Sequence, residues 1–481
     1  MTILVLDLGS SSVRALLFDD KANEVAQTVR RHHLTTTPPG AATLDMSEVQ
    51  SSAEACIDEI LQKPEAKDIR AVGADTLVGN LLGVDATGKA VTPIYSYADT
   101  RSADDVTELA EQIDLEATHQ RTGCVHHTAY HPGRLRWLKR IDPKLYESVR
   151  QWTDLGTYLY RQWFSEAPCS YSVASWSGLL NRETLAWDDQ WLNMLDLPKE
   201  ALPKLADYTE TCSGLKSDYA TRWPALRDAP FFLAVGDGAA ANVGSGCAEP
   251  GKYALSVGTS SALRTVSTDK LPHVPAGLWS YRIGADLHLL GGAMSEGGSI
   301  FEWAKATLKL PEDAEQQLTR READVHGLTF LPLLSGERSL GWAADAVGTI
   351  HGLRQSTTAL DLLQAALEGV ALRLALISER LGGTSPVIGS GGGLDASPAW
   401  RQMIANALNR ELQFAGESEI TARGVAILVL SALDKTVLSA FPPKITATVT
   451  PQPEAVAQLR AARDRQQMLY HKFYTESDTA R

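Results

Sequence analysis

The chain carries one short signature twice, about half its length apart. Gly9-Ser10-Ser11-Ser12 follows the apolar run Ile3-Leu4-Val5-Leu6 and leads into Val13-Arg14-Ala15-Leu16-Leu17-Phe18. Gly258-Thr259-Ser260-Ser261 follows Tyr253-Ala254-Leu255 and leads into Ala262-Leu263-Arg264-Thr265-Val266. Apolar runs on either side of a turn of Gly and small hydroxyl residues predict strand, tight turn, strand in both places. Glycine lets backbone N–H groups come close to an anion, and the hydroxyls add donors. Two such hairpins, one from each half, would clamp a polyphosphate between them. The expected molecule is an internally duplicated ATP-using protein with its active site between the halves.

A chain of 481 residues has room for roughly three domains or two large ones. Gly244-Ser245-Gly246 and Pro250-Gly251 break any regular pattern, so the expected domains are residues 1–245 and 246–481. Strand and helix signals alternate through both, which gives an α/β class. The clearest helix runs from Thr358 to Leu381. Its Leu363, Leu367, Val370, Leu374, Ile377 and Leu381 step by fours and threes, and Thr358 with Asp361 resembles a capping box. Another opens at Ser397-Pro398 and carries Trp400, Ile404 and Leu408 inward. Thr35 to Gly40 reads as a surface connection, and Pro453 to Tyr474 as a closing amphipathic helix with a polar tail.

The net charge of −13 is spread without acidic or basic blocks, which argues against a nucleic-acid partner. The five cysteines are scattered and form no CxxC pair, as expected of reduced thiols. Met1-Thr2 runs straight into a strand, and Val425 to Leu433 is far shorter than the roughly 20 residues a bilayer needs. The expectation is a cytoplasmic protein without a membrane partner. A homodimer is left open.

Nothing fits GxxxxGK[ST], so a P-loop NTPase is excluded. Gly389-Ser390-Gly391 is followed by two more glycines and Leu394, which departs from the dinucleotide fingerprint GxGxxG. Asp7, just before the first turn, is placed to hold magnesium against bound phosphates or to cap the turn. Arg14 is placed to face phosphate or to pair with a surface acid. Asp237 stands in Val235-Gly236-Asp237-Gly238-Ala239-Ala240-Ala241, at the start of an alanine-rich helix. A kinase acting on an alcohol needs such a carboxylate to orient the hydroxyl and accept its proton; a plain N-cap is the other reading. Asp99 and Arg101 put an acid and a base together on a predicted loop, either for a polyol or acidic substrate or as a surface salt bridge. His126, His127 and His131 have no companion ligand at a diagnostic spacing and read as ordinary histidines.

Together these segments resemble the FGGY carbohydrate kinase family nearly end to end. Asp7-Leu8-Gly9-Ser10-Ser11-Ser12 resembles the family's first phosphate motif and Ser256-Val257-Gly258-Thr259-Ser260 its second. Gly236-Asp237-Gly238 falls where the family keeps its catalytic aspartate. Gly291-Gly292-Ala293 with Gly297-Gly298 and Trp303, and Ser390-Gly391-Gly392-Gly393, resemble its nucleotide-domain glycine motifs. The resemblance implies a two-domain, actin-like (ribonuclease H-like) fold with an interdomain cleft. It implies Asp237 as the base. Asp7, Gly9, Ser10, Ser11, Ser12, Arg14, Gly258 and Thr259 would hold Mg2+ and the ATP phosphates, and Gly298, Gly391, Gly392 and Ser397 would border the nucleotide. Substrate would lie against Asp99 and Arg101, with Asn80 a candidate donor in place of a histidine that the family usually keeps nearby.

Within the family the gluconate kinases are most similar, through Tyr97-Ala98-Asp99-Thr100-Arg101-Ser102, Leu331 to Arg338 and Gly258 to Arg264. Arg101 would pair with the carboxylate of an acid sugar. Three positions depart from the family pattern: Val78-Gly79 replaces a Met-His pair, Tyr97 a Trp, and Ser170 an Asp. The rival readings are a kinase for a ketopentose (xylulose or ribulose) or a polyol, and a sensor of sugar and nucleotide that transfers nothing.

Overall fold

The computed structural model describes residues 1–417 and 419–474. Two mixed sheets, each of seven strands, are built from the two halves on a common plan. In the first, β1 (Thr2–Leu8) and β2 (Ser12–Phe18) form an antiparallel hairpin, β3 (Glu24–Arg31) continues the meander, and β4 (Ile69–Thr76) lies parallel to β1. Short strands β5 (Thr211–Cys212), β6 (Phe231–Phe232) and β7 (Val235–Gly236) complete it, with β6 and β7 both parallel to β4.

In the second sheet the hairpin is β8 (Tyr253–Val257) and β9 (Ser261–Ser267), extended by β11 (Leu287–Met294) and then β10 (Trp279–Gly284). Strand β12 (Val387–Ser390) lies parallel to β8, and β13 (Leu412–Ala415) and β14 (Ile445–Val449) follow. Each hairpin therefore turns at the carboxyl end of a central strand, the edge where open α/β sheets present ligand sites.

Strand β1 is apolar on both faces because both are covered. Leu4, Leu6 and Leu8 pack with Val49, Ala53, Cys56, Ile57 and Ile60 of α1 (Met46–Ile60), whose first turn is capped by Asp45. Ile3 and Val5 face the other way, into a cluster with Val425 and Val429. Those two valines belong to α6 (Ile420–Asp434), a helix of the second half that packs on β1 and β4 of the first.

Helix α6 also crosses α2 (Asp237–Gly244). A Cβ on Gly244 would stand 1.8 Å from the Ile420 carbonyl oxygen, and one on Gly424 1.8 Å from that of Ala240. The two helices meet backbone to backbone, and Arg423 donates to the Gly244 carbonyl at 2.6 Å. Any side chain at either glycine would push the halves apart.

In the second half, α3 (Gly298–Thr307) starts at the β8–β9 turn, and α4 (Ala359–Leu381) supplies the core. Its Thr358–Asp361 capping box is present, and Leu363, Leu367, Val370, Leu374 and Ile377 are fully buried. Helix α5 (Pro398–Leu408) buries Trp400, Ile404 and Leu408, and α7 (Pro453–Tyr474) closes the described chain. The polar tail expected after it lies outside the described residues. Thr35–Gly40, expected as a plain surface connection, contains a strand at Thr35–Thr37 paired with Ala41–Leu44; three β-branched residues accept the ladder that Pro38-Pro39-Gly40 then turns. All five cysteines are free and buried. Among the described residues no helix is long and apolar enough to cross a membrane.

Candidate active site

Three carboxylates stand at the ends of three neighbouring strands. Asp7 on β1 is in register with Asp75 on β4, and Asp75 is in register with Val235 on β7, which leads into Asp237. Asp75 is fully buried, and among the described residues the only side chain within hydrogen-bonding reach of its carboxyl is that of Asp7. Burial, and then the neighbouring Asp7 and Asp237, hold its pKa well above the usual carboxylate range. Asp7 is also raised by burial, against the opposing pull of Arg14, whose Nε lies 3.9 Å away. Arg14 sits opposite Asp7 on β2 and hydrogen-bonds Glu419, so a residue of the first hairpin reaches the second half. Gly9 keeps the turn tight over Asp7: its N–H donates to Ser12 O at 3.0 Å, and a Cβ there would lie 3.1 Å from that oxygen.

Asp237 is the first residue of α2, and Gly236 takes the N-cap position. Its Oδ1 accepts from the Gly238 N–H at 2.6 Å. Burial raises it to about 6, with the Gly238 bond and Arg264 pulling the other way. The flanking glycines have a steric reason. A Cβ on Gly236 would meet Trp176 Nε1 at 2.6 Å, and one on Gly238 would meet Trp176 Cη2 at 2.9 Å. Only a bare backbone lets the indole lie along the start of α2.

Asp237 opens onto a cavity of about 140 Å³ between the halves. Trp176 stacks on Tyr281 at 3.6 Å between ring centroids, and Trp279 stacks on the same ring at 4.4 Å. The cavity is also lined by the small groups Gly79, Ser256, Ser260 and Ser261, and by two cations, Arg264 and Arg338. Arg264 donates to Ser256 Oγ at 2.9 Å, but its Nε is buried without an acceptor. Arg338 lies 5.7 Å over the Tyr97 ring, and no ion pair engages Arg264 or Arg338 among the described residues. Polyol-sized space, an aromatic wall, one raised carboxylate and two unpaired guanidiniums define what the cavity can hold.

The second hairpin anchors a glycine cradle. The Gly298 N–H donates to Gly258 O at 2.6 Å and the Ser299 N–H to Thr259 O at 3.2 Å. Gly391 adopts φ 106°, and a Cβ there would stand 2.5 Å from Val257 O, so the β12–Gly391 turn can touch β8 only as glycine. Gly258, Thr259, Ser260 and Gly392 are exposed above it.

The structure thus gathers Asp7, Gly9, Ser10, Ser11, Ser12 and Arg14 at one hairpin, and Gly258, Thr259, Gly298, Gly391 and Gly392 at the other. It does not bring Asn80, Asp99 or Arg101 to the cavity. Asn80 Oδ1 accepts from the Leu155 N–H, and Nδ2 donates to Leu77 O. Asp99 is 1 % exposed, accepts from the Ala42 N–H and takes a forked ion pair from Arg101, whose guanidinium lies 4.5 Å over the Trp137 ring. Ser397 caps α5 and donates to Glu315.

Of the positions that depart from the family pattern, Gly79 and Tyr97 line the cavity, with the Tyr97 Cβ 3.2 Å from where a Gly79 Cβ would be. Ser170 instead caps the short helix Tyr171–Ser175 and bonds Ala234 O. Asp75, Trp176 and Tyr281 escaped the sequence reading. Asp75 had a visible signal, a lone charge inside the buried-strand run Ala71-Val72-Gly73-Ala74. Arg264 and Arg338 had been read only as ends of motifs. A larger groove of about 920 Å³ on the first half has Arg161 and Lys216 in its wall, but both donate to backbone carbonyls and neither hairpin reaches it.

The N-terminal domain model of the FGGY family of carbohydrate kinases matches residues 2–244, and its C-terminal domain model matches residues 253–433. Gluconokinase of Bacillus subtilis (strain 168) is 25% identical over 450 residues, spanning 90% of this chain and 88% of that protein. Among solved structures, gluconate kinase from Lactobacillus acidophilus superposes with a TM-score of 0.93 at 24% identity, over 99% of each chain. Xylulose kinase from the same organism gives a TM-score of 0.93 at 24% identity, over 98% of each. The chain belongs to the FGGY family of carbohydrate kinases and is an ATP-dependent phosphotransferase with a sugar hydroxyl as acceptor.

Proposed function

We propose that the acceptor is a small polyhydroxylated acid, gluconate first, and that Asp237 is the base. One observation carries the acid: Arg264 and Arg338 share the cavity with Asp237, unpaired otherwise, and Arg264 Nε is buried without an acceptor. A substrate carboxylate supplies that acceptor and matches the guanidinium fork. The match to gluconokinase over most of both chains agrees with this reading.

Asp237 orients the reacting hydroxyl and takes its proton as the oxygen attacks the terminal phosphoryl group. Its raised pKa makes the carboxylate a stronger base and brings that transfer closer to balance near neutral pH than an ordinary carboxylate would. The hydroxyls and N–H groups of the two hairpins hold the phosphate tail, and Arg14 is placed to leave Glu419 for phosphate. The ring wall excludes water that would otherwise accept the phosphoryl group. Asp7, beside the buried carboxyl of Asp75, fits a divalent cation, and Mg2+ held there would offset charge on the phosphates. The buried free thiols accord with action in the reducing cytoplasm.

An ADP-release assay over gluconate, other aldonates, ketopentoses, aldoses and glycerol tests the proposal. The highest kcat/KM should fall on an aldonate. Preference for a neutral ketose would overturn the acid reading and leave the kinase assignment standing.

A further inference from the structure

We infer that Asp75 is a second carboxylate of the divalent-cation site, seated directly behind Asp7. The inference rests on the reading of Asp7 as a metal residue, and it extends that site to a residue outside the hairpin motif.

Three observations meet at this position. The first is placement: Asp75 is the register partner of Asp7 on the adjacent parallel strand, and both stand where the strands end at the cleft. The second is isolation. Asp75 is 0% exposed, and among the described residues the only side chain within hydrogen-bonding reach of its carboxyl is that of Asp7, another acid. Two buried carboxyls facing each other cannot both stay ionised without a cation, and native structures rarely keep a buried charge without a partner. The third is surroundings. Asp7 and Asp237 flank it, and the nearest cation, Arg14, is already held between Asp7 and Glu419. Two residues earlier on the same face of the strand, Gly73 packs against Val425 and Val429.

A divalent cation removes both difficulties together. It supplies the missing partner, directly or through a bound water, and it relieves repulsion between carboxylates on neighbouring strands. Asp7 alone would give the ion one protein carboxylate from the first sheet. Asp75 gives it two on adjacent strands, a rigid pair that cannot splay.

The test is Mn2+ binding to the full chain without nucleotide, followed by the electron paramagnetic resonance of free Mn2+, for wild type, Asp7→Asn and Asp75→Asn. Asp75→Asn is expected to weaken Mn2+ binding at least tenfold, as Asp7→Asn does, and to abolish the rise in melting temperature that Mn2+ gives wild type. In the absence of metal its melting temperature should equal or exceed that of wild type. Asn can donate to Asp7 as a protonated acid would. Unchanged Mn2+ affinity in Asp75→Asn, with loss in Asp7→Asn, would therefore make Asp75 a prop for Asp7 and overturn the inference alone. Wild type that binds no Mn2+ would overturn the metal reading of Asp7 with it. Asp75→Ala, read in the same way, serves if the Asn variant does not fold.

Discussion

Two sets of arginine and aspartate in this molecule share the same side-chain chemistry and behave oppositely in the fold. Around Asp99 the set is closed: Arg101 forks onto the carboxylate, the Ala42 N–H adds a bond, and Trp137 covers the guanidinium. Around Asp237 it is open. Arg264 and Arg338 face the same cavity, Arg264 Nε has no acceptor, and the carboxylate keeps one short backbone bond. A polar group whose bonds are all met by its own chain stabilises a wall, whereas one left short of partners is waiting for a ligand. The same test separates Asn80 and Ser397, both satisfied internally, from Asp75, which is not.

The comparison breaks first at Asp237. Asp237→Asn keeps the shape and the Gly238 N–H contact but cannot accept a proton, so kcat should fall about 10³-fold, within the usual range for a general base. ATP binding, followed by fluorescence of a nucleotide analogue, should stay near wild type. Turnover within tenfold of wild type would move the base elsewhere in the cleft.

Next is the closed set. Arg101→Ala strands Asp99 at 1 % exposure, and removing one partner of a buried pair costs on the order of 3 kcal/mol. Urea unfolding should show that loss, while relative kcat/KM for gluconate and a neutral sugar stays fixed. A selective loss on the acid would mean that Arg101 reaches substrate after all.

Arg338→Ala should do the reverse. Hydrogen bonds to charged groups contribute about 1.5–3 kcal/mol, so KM for gluconate should rise roughly ten- to a hundredfold with little change in unfolding free energy. Neutral sugars, which offer no carboxylate, should change least. A uniform loss across substrates would make Arg338 a wall residue like Arg101.

Which of these roles could be read from the chain follows from range. The hairpins, the Asp237 turn and the capped helices were legible because each is written in consecutive residues: a glycine turn between apolar runs, Gly-Asp-Gly before alanines, Thr358 three residues before Asp361. The pairing of Asp99 with Arg101 was legible as a pair, yet its direction was not, because Trp137 and Ala42, which close it off, come from other elements. Arg264 and Arg338 are 74 positions apart and meet only because β9 and the segment after Leu331 border one cavity. Asp75 needed Asp7 on the next strand before its isolation meant anything.

The smallest effect is the most specific to the open set, because it follows from leaving Asp237 under-partnered. Its folded-state value of about 6 lies above the unfolded 3.8, so the folded chain holds the proton more tightly. The sign is then fixed: the neutral form's contribution to stability is complete below 3.8 and is lost as pH rises through about 6. Activity runs the other way, since only the carboxylate acts as base, and kcat/KM should fall about tenfold per pH unit below 6. Asp237→Asn removes the ionisation, so above pH 6 it should be more stable than wild type by on the order of 1–2 kcal/mol, with the gap closing toward pH 4. The cavity offers some solvent contact, which keeps the figure below the full value of the shift. Equal stability at pH 8 would mean that Arg264 and Arg338 already compensate Asp237 in the empty cleft. The open set would then be closed, and the contrast with Asp99 would fail.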